Sequence, residues 1–215
     1  MRIALIGPGN TKFHYQELLK ISEEQYKQEV WGIARALVNS NVEIELLPDD
    51  GICIELARQY KREGGRKVIA SLPLSDKTFG VNHLKEYADE KVNGKNLFDE
   101  IIDTDNWFKH DLIKGLMGNA ILYLGASPGT DGERHYAIYL YKLIAGFKKG
   151  VEVSASAIHP EARAGKNFSI LVYSPFLIAK KLPKEDEEYM KRFGVSLIYV
   201  RNARDLEKKL KKLNN

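Results

Sequence analysis

Short apolar runs rich in β-branched residues alternate with amphipathic stretches from one end of this chain to the other. The runs are Arg2–Ile6, Val42–Leu47, Lys67–Leu72, Ala120–Leu124, Phe168–Tyr173 and Ser196–Val200. Each is short enough for a strand and apolar enough to be covered on both faces. In the first stretch between runs, Tyr26, Val30, Ile33, Ala34, Leu37 and Val38 recur at helical spacing. They follow Ser22-Glu23-Glu24-Gln25, an S-x-x-Q capping box that starts a helix near Ser22. Further helical patterns cover Ile52–Arg62, Trp107–Met117, Asp131–Phe147 and Ala203–Leu213. Such alternation builds βαβ units, so the expected fold is a three-layer α/β fold, mostly parallel, with helices on both faces of the sheet.

Two stretches break the rhythm. Ser75–Lys95 is polar, with turn signals at Gly80 and Asn93-Gly94, and reads as an excursion over the sheet edge. Lys148–Lys166 reads as an irregular arm, or as a hairpin whose second limb is the run at Phe168. There is no repeat and no long linker, so 215 residues are expected to form a single domain.

Charge is the next constraint. The chain carries 33 basic and 29 acidic residues, a net +4. Arg201, Arg204, Lys208, Lys209, Lys211 and Lys212 crowd the last fifteen positions against only Asp205 and Glu207, which leaves 27 of each sign in the first two hundred. The body is neutral, and the excess belongs to the last helix, so nucleic acid is not the expected partner. One cysteine, Cys53, excludes an intrachain disulfide and a thiolate metal cluster. No apolar run reaches the roughly 18 residues of a membrane span, and the first residues lack a signal-peptide core. A cytoplasmic protein without membrane contact is expected.

In a parallel sheet, ligands bind beyond the carboxyl ends of the strands. Three loops there carry glycine. The first, Gly7-Pro8-Gly9-Asn10-Thr11-Lys12, fails as G-x-G-x-x-G because Lys12 replaces the third glycine, and no helix pattern follows at once. Its backbone at Gly7, Gly9 and Asn10 can still approach a phosphate or sugar. The second is Asp49-Asp50-Gly51, where Asp50 is either a ligand contact or a helix cap. The third runs Gly125-Ala126-Ser127-Pro128-Gly129-Thr130-Asp131-Gly132-Glu133 straight into a helix. Its small residues admit a ligand, the amides near Gly129 attract anions, and Thr130 can donate to a phosphate. Thr130-x-x-Glu133 is also a capping box, so Glu133 is either a site carboxylate or a cap.

The third loop resembles the P-G-G-x-G-T-x-x-E motif of the LOG ("lonely guy", lysine-decarboxylase-like) family of Rossmann-like proteins. Gly129, Thr130 and Glu133 match it identically, with Ala126 and Ser127 in the two small-residue places and Asn119-Ala120 where Asp-Ala is usual. Asp50-Gly51-Ile52 with Gly64-Gly65 resembles the second signature of the wider superfamily, which includes DNA-processing protein A and molybdenum-cofactor carrier-like proteins. The likeness in order of strands and loops covers roughly Met1 to Lys149. It implies a nucleotide pocket formed by the loops after the first, second and fourth runs, in a homodimer or higher homo-oligomer. In LOG enzymes that pocket hydrolyses the N-glycosidic bond of a nucleoside 5′-monophosphate. By that resemblance Glu133 stabilises the oxocarbenium-like state or positions water, and Gly129 and Thr130 hold phosphate. His110 stands where those enzymes carry an assisting Arg, and as imidazolium it can bind phosphate or share a proton.

Three functions follow: a binder of a small phosphorylated ligand such as a nucleoside monophosphate, a phosphoribohydrolase, and a single-stranded-DNA binder by kinship with the DNA-processing branch. The last requires stacking aromatics in a basic groove, whereas Tyr136, Tyr139 and Tyr141 fall at helical spacing and read as packing. The pairs within Glu133-Arg134-His135 and His159-Pro160-Glu161 lack a second cluster at ligand spacing, so neither a metal nor a cofactor is expected.

Overall fold

A computed structural model describes residues 1–146 and 153–214. In chain order the elements are β1 (Arg2–Ile6), α1 (Glu23–Asn39), β2 (Glu43–Leu46), α2 (Ile52–Arg62), β3 (Val68–Leu72), α3 (Asn82–Ala88), β4 (Lys91–Val92), β5 (Lys95–Asn96), β6 (Glu100–Asp103) and α4 (Trp107–Ile113). Then come β7 (Ala120–Tyr123), α5 (Pro128–Ile144), α6 (Ala155–Ile158), β8 (Ser169–Tyr173), α7 (Lys184–Arg192), β9 (Ser196–Val200) and α8 (Ala203–Asn214). Seven strands form one sheet in the order β6-β3-β2-β1-β7-β8-β9, parallel at every pairing. The expected three-layer α/β fold is thus observed.

Alternation along the central strand shows why both faces are covered. In β1, Ile3 and Leu5 join the core beneath α1, α2 and α8, with Ile33, Leu37, Leu56, Leu206 and Leu210. Ala4 and Ile6 join the core on the other face, with Ala137, Ile138 and Met190. Successive side chains point to opposite faces, so a strand buried on both must be apolar throughout. Glu45 breaks that rule. It lies fully buried between Ile44 and Leu46, which belong to the first core, so it points to the opposite face.

The helix expected over Trp107–Met117 tightens after Ile113 into a 3-10 turn, Lys114–Met117. A Cβ on Gly115 would stand 2.6 Å from that of Ala137, so the glycine lets this turn press against α5. The polar excursion contains α3 and the β4–β5 hairpin, whose Asn93-Gly94 turn has both residues at positive φ. Of the proposed arm, 153–166 holds the short α6 and irregular chain, while Val151, Glu152 and the Lys148-Lys149 pair lie outside the described residues, as does the expected helix end at Phe147. The hairpin alternative gives way to parallel pairing of β8 with β7 and β9.

The basic C-terminal helix packs as its pattern implies. Leu206 and Leu210 are buried, Lys209 pairs with the half-buried Asp205, and Lys211 pairs with Glu207 at the surface. No helix among the described residues is long and apolar enough to cross a membrane.

Candidate functional site

The chain leaves β1 towards β2, β3 and β6 on one side and returns to β7, β8 and β9 on the other. Loops following β1 and β7 therefore lead to helices on opposite faces and separate at the carboxyl ends of these two strands. That divergence is where open α/β sheets hold their ligands. A cleft of about 210 Å3 lies there, lined by Gly7, Gly9, Asp49, Asp50, Cys53, Lys114, Ser127, Gly129, Thr130 and Glu133 among others. A larger hollow of about 950 Å3 opens at the amino ends of the strands, near Met1, Lys166 and Lys212, but among the described residues no carboxylate side chain lines it.

Two glycines bring the first two loops together. A Cβ on Gly7 would fall 2.4 Å from Ile52 Cγ2, and one on Gly51 (φ +121°) would fall 2.4 Å from the Pro8 carbonyl oxygen. Ile52 N–H donates to that same Pro8 oxygen at 3.2 Å. Gly51 is thus the N-cap of α2 and a packing residue outside the cleft lining. Asp50 does not cap α2; its carboxylate accepts the Tyr87 hydroxyl at the cleft edge.

The first loop leads at once into a π-helical turn, Lys12–Leu18, where no helix pattern was visible. Asn10 serves this turn: Oδ1 accepts from Phe13 N–H at 2.9 Å, and it does not line the cleft. The turn docks on the β7 loop through the Tyr15 hydroxyl, which donates to the Leu124 carbonyl at 2.8 Å. Gly125 (φ +146°) permits the contact, since a Cβ there would meet His14 Nε2 at 2.6 Å. Gly125 and Ala126 are consequently loop-forming residues beside the cleft and not part of its lining.

The start of α5 resolves the ambiguity at Glu133. Ser127 is the N-cap, with Pro128 in the first turn. Its Oγ accepts from Thr130 N–H at 3.3 Å, and Thr130 Oγ1 accepts from Ser127 N–H at 2.7 Å. The capping box is Ser127/Thr130, one turn earlier than the T-x-x-E register. Thr130 also donates to the Gly125 carbonyl at 3.0 Å, which commits its hydroxyl to the cap in place of the expected phosphate contact. Gly129 N–H has no partner among the described residues, and a Cβ there would meet nothing. Glu133, released from capping, faces the cleft, and its carboxylate has no hydrogen bond among the described residues. Burial pushes its pKa up to about 7 against the opposing pull of Lys114, with Asp111 and Glu45 adding to the rise.

The cleft floor holds charges the sequence reading missed. Lys114 Nζ lies 2.7 Å from Glu45 Oε2, with both side chains buried, and Ser71 donates to the other Glu45 oxygen. Next to them is His110, fully buried on α4. Its Nδ1 lies 2.9 Å from Thr104 Oγ1, and Nε2 has no hydrogen-bond partner among the described residues. Burial, aided by Lys114, pulls the imidazole down to about 3. His110 is therefore neutral at physiological pH, which corrects the expectation of an imidazolium standing in for Arg. A ring nitrogen of His110 and carboxylate oxygens of Asp111 and Glu133 lie within 4.8 Å of one another. The other pairs noted in the sequence are spent elsewhere: His135 Nε2 meets Asp186 at 2.9 Å, and His159 Nε2 meets the Asp103 carbonyl at 3.0 Å. Tyr136 and Tyr139 are exposed on α5, and Tyr141 is buried in the core.

No protein-family model and no curated protein matches the sequence. Solved structures do. A molybdenum cofactor binding protein from Rippkaea orientalis superposes with TM-score 0.57 at 11% identity, covering 100% of this chain and 97% of that one. The molybdenum cofactor carrier protein of Chlamydomonas reinhardtii gives 0.56 at 14% identity, covering 99% and 96%. The chain shares the α/β fold of these proteins. At these identities the likeness is one of architecture, and it covers the whole chain.

Proposed function

We propose that the cleft binds a small phosphorylated ligand, a nucleoside 5′-monophosphate in the first instance. The observation that carries this reading is the pair of unengaged polar groups at the β1/β7 divergence: the Gly129 amide at the start of α5 and the Glu133 carboxyl one turn on. An amide aimed from a helix N-terminus suits a phosphate, and a carboxylate suits ribose hydroxyls. The cleft volume is below the roughly 300–1,000 Å3 of sites that enclose a drug-sized ligand. It matches a ribose phosphate with the base projecting outward. The fold neighbours, described as binding or carrying the molybdenum cofactor, also favour a small-molecule ligand.

One observation favours a second reading, a phosphoribohydrolase. Glu133 lacks both a cap role and a hydrogen bond, so its carboxylate is available to stabilise positive charge at C1′ as the N-glycosidic bond breaks. The base departs with the bonding electrons and takes up a proton. Water adds to C1′, leaving ribose 5-phosphate.

The test incubates the protein with AMP, GMP, CMP and their ribosides, measuring ribose 5-phosphate release and thermal shift in parallel. A shift with the phosphates and not the ribosides supports the binder, and turnover abolished by Glu133→Gln supports the hydrolase. No shift and no turnover across the panel overturns both.

A further inference from the structure

We propose that His110, Asp111 and Glu133 form a site for one divalent transition-metal ion of the zinc class. The inference is independent of the ligand reading and shares only Glu133 with it. Three donors from two helices converge, with a His nitrogen and two carboxylate oxygens all within 4.8 Å. The decisive feature is His110. Its side chain is fully buried, yet Nε2 has no hydrogen-bond partner, and an unmet buried polar atom is costly. Nδ1 is engaged by Thr104 Oγ1 at 2.9 Å, which leaves Nε2 as the free nitrogen; metal capture takes the tautomer in which Nδ1–H donates to the threonine hydroxyl, so that Nε2 presents its lone pair and the hydroxyl orients the ring.

One nitrogen and two oxygens suit zinc or manganese better than calcium or magnesium, which favour all-oxygen sets. Ligand bonds of about 2.0–2.2 Å place donors roughly 3.4 Å apart in a tetrahedral site, so capture draws donors that lie within 4.8 Å of one another closer by up to roughly 1.4 Å. Asp111 is exposed and Glu133 faces the cleft, which gives an ion a path inward. The nearby Lys114 charge opposes a cation, but Glu45 at 2.7 Å neutralises it. Three protein donors leave coordination positions open for water or a ligand oxygen.

Calorimetric titration of chelator-treated protein with Zn2+, without nucleotide, tests this directly. Co2+ serves as the parallel spectroscopic probe, because its visible absorption reports the donor set. One ion per chain is expected. Asp111→Asn and Glu133→Gln each weaken it at least about tenfold, and Thr104→Val about tenfold through the imidazole orientation. His110→Ala abolishes the site and changes the Co2+ spectrum. If that buried substitution unfolds the chain, the Asp111 and Glu133 variants, judged folded by circular dichroism, carry the test. Absence of saturable Zn2+ and Co2+ binding up to about 1 mM overturns the proposal. So does a one-to-one affinity unchanged in Asp111→Asn and Glu133→Gln. Either result leaves nucleotide binding to be judged on its own panel.

Discussion

Glu133 and Arg134 are adjacent on α5, and their surroundings could hardly differ more. Arg134 is buried on the sheet side, its Nη2 bonded to Asp186 at 2.7 Å and Asp131 at 3.2 Å, with its guanidinium over the Tyr123 ring. Glu133 turns to the cleft with no hydrogen bond among the described residues, within 4.8 Å of the His110 ring and Asp111. A buried charge held by partners is part of the fold's own structure. Arg134 keeps Nε and Nη1 unmet, yet two carboxylates balance its charge, whereas Glu133 has no ion pair or hydrogen bond among the described residues and stands beside an imidazole whose Nε2 is also unmet. The same division runs through the cleft floor, where Glu45 and Lys114 satisfy each other while His110 and Glu133 do not.

Breaking the paired side should cost stability. Glu45→Ala leaves Lys114 buried and unpaired, and a loss of about 3–5 kcal/mol is expected by denaturant unfolding. Replacing both partners with apolar residues, Glu45→Leu with Lys114→Met, should recover most of it, because the desolvation cost disappears with the charges. Asp186→Asn should cost less, about 2–3 kcal/mol, since Asp131 still holds Arg134.

The Asp186 pair also predicts a pH dependence. Burial pushes this carboxyl up, but the hydrogen bond with His135 and the Arg134 charge outweigh it and hold it below its ordinary value of 3.8. A carboxyl depressed in the folded state stabilises at neutral pH. Its contribution is lost as pH falls through the ordinary value towards the depressed one. Unfolding midpoints of wild type and Asp186→Asn should therefore converge in acid, and a gap independent of pH would count against the pair. A smaller effect is expected at the helix start: Ser127→Ala removes one half of the capping box and should cost about 1 kcal/mol.

On the unpaired side, substitutions should leave the fold alone. Glu133→Gln removes a charge that burial disfavours and breaks no cap, so metal-free protein should keep or slightly raise its Tm. Had the T-x-x-E register been correct, the same conservative change would still preserve the cap, but Glu133→Ala would cost about 1 kcal/mol. With Ser127 as cap, Glu133→Ala should not. Thermal unfolding of the two variants distinguishes the registers.

The contrast explains what could be read in advance. β1, β3, β7 and β8 are legible because burial on both faces demands continuous apolar sequence, and the edge strand β9 by its β-branched and aromatic run, although only Val200 of it is buried. β6 is not, since Glu100-Ile101-Ile102-Asp103 is four residues long, with acids at both ends and only Ile102 buried. α7 escaped because Met190 is its one buried residue among charged neighbours. The loops of the cleft were legible through their glycines, although Gly51 and Gly125 act in packing one loop against another. Lys114 and Glu45 were not, because 69 positions separate them. The signal was present in β2, where two acids, Glu43 and Glu45, interrupt a short apolar run and only Glu45 is buried. The helix start slipped by one turn because Thr130 satisfies two capping registers, and only Pro128 beside Ser127 favours the earlier one.

The ligand site proposed at the β1/β7 divergence rests on groups that have no partner among the described residues. Gly129→Asp tests it most directly. A Cβ there meets nothing, and an acidic side chain in the first turn complements the helix dipole, so Tm should hold or rise slightly. The same carboxylate would repel a phosphate at the Gly129 amide. Calorimetric titration of AMP into wild type and variant should show binding weakened at least about tenfold with Tm preserved. Equal AMP affinity in the two proteins would contradict the account.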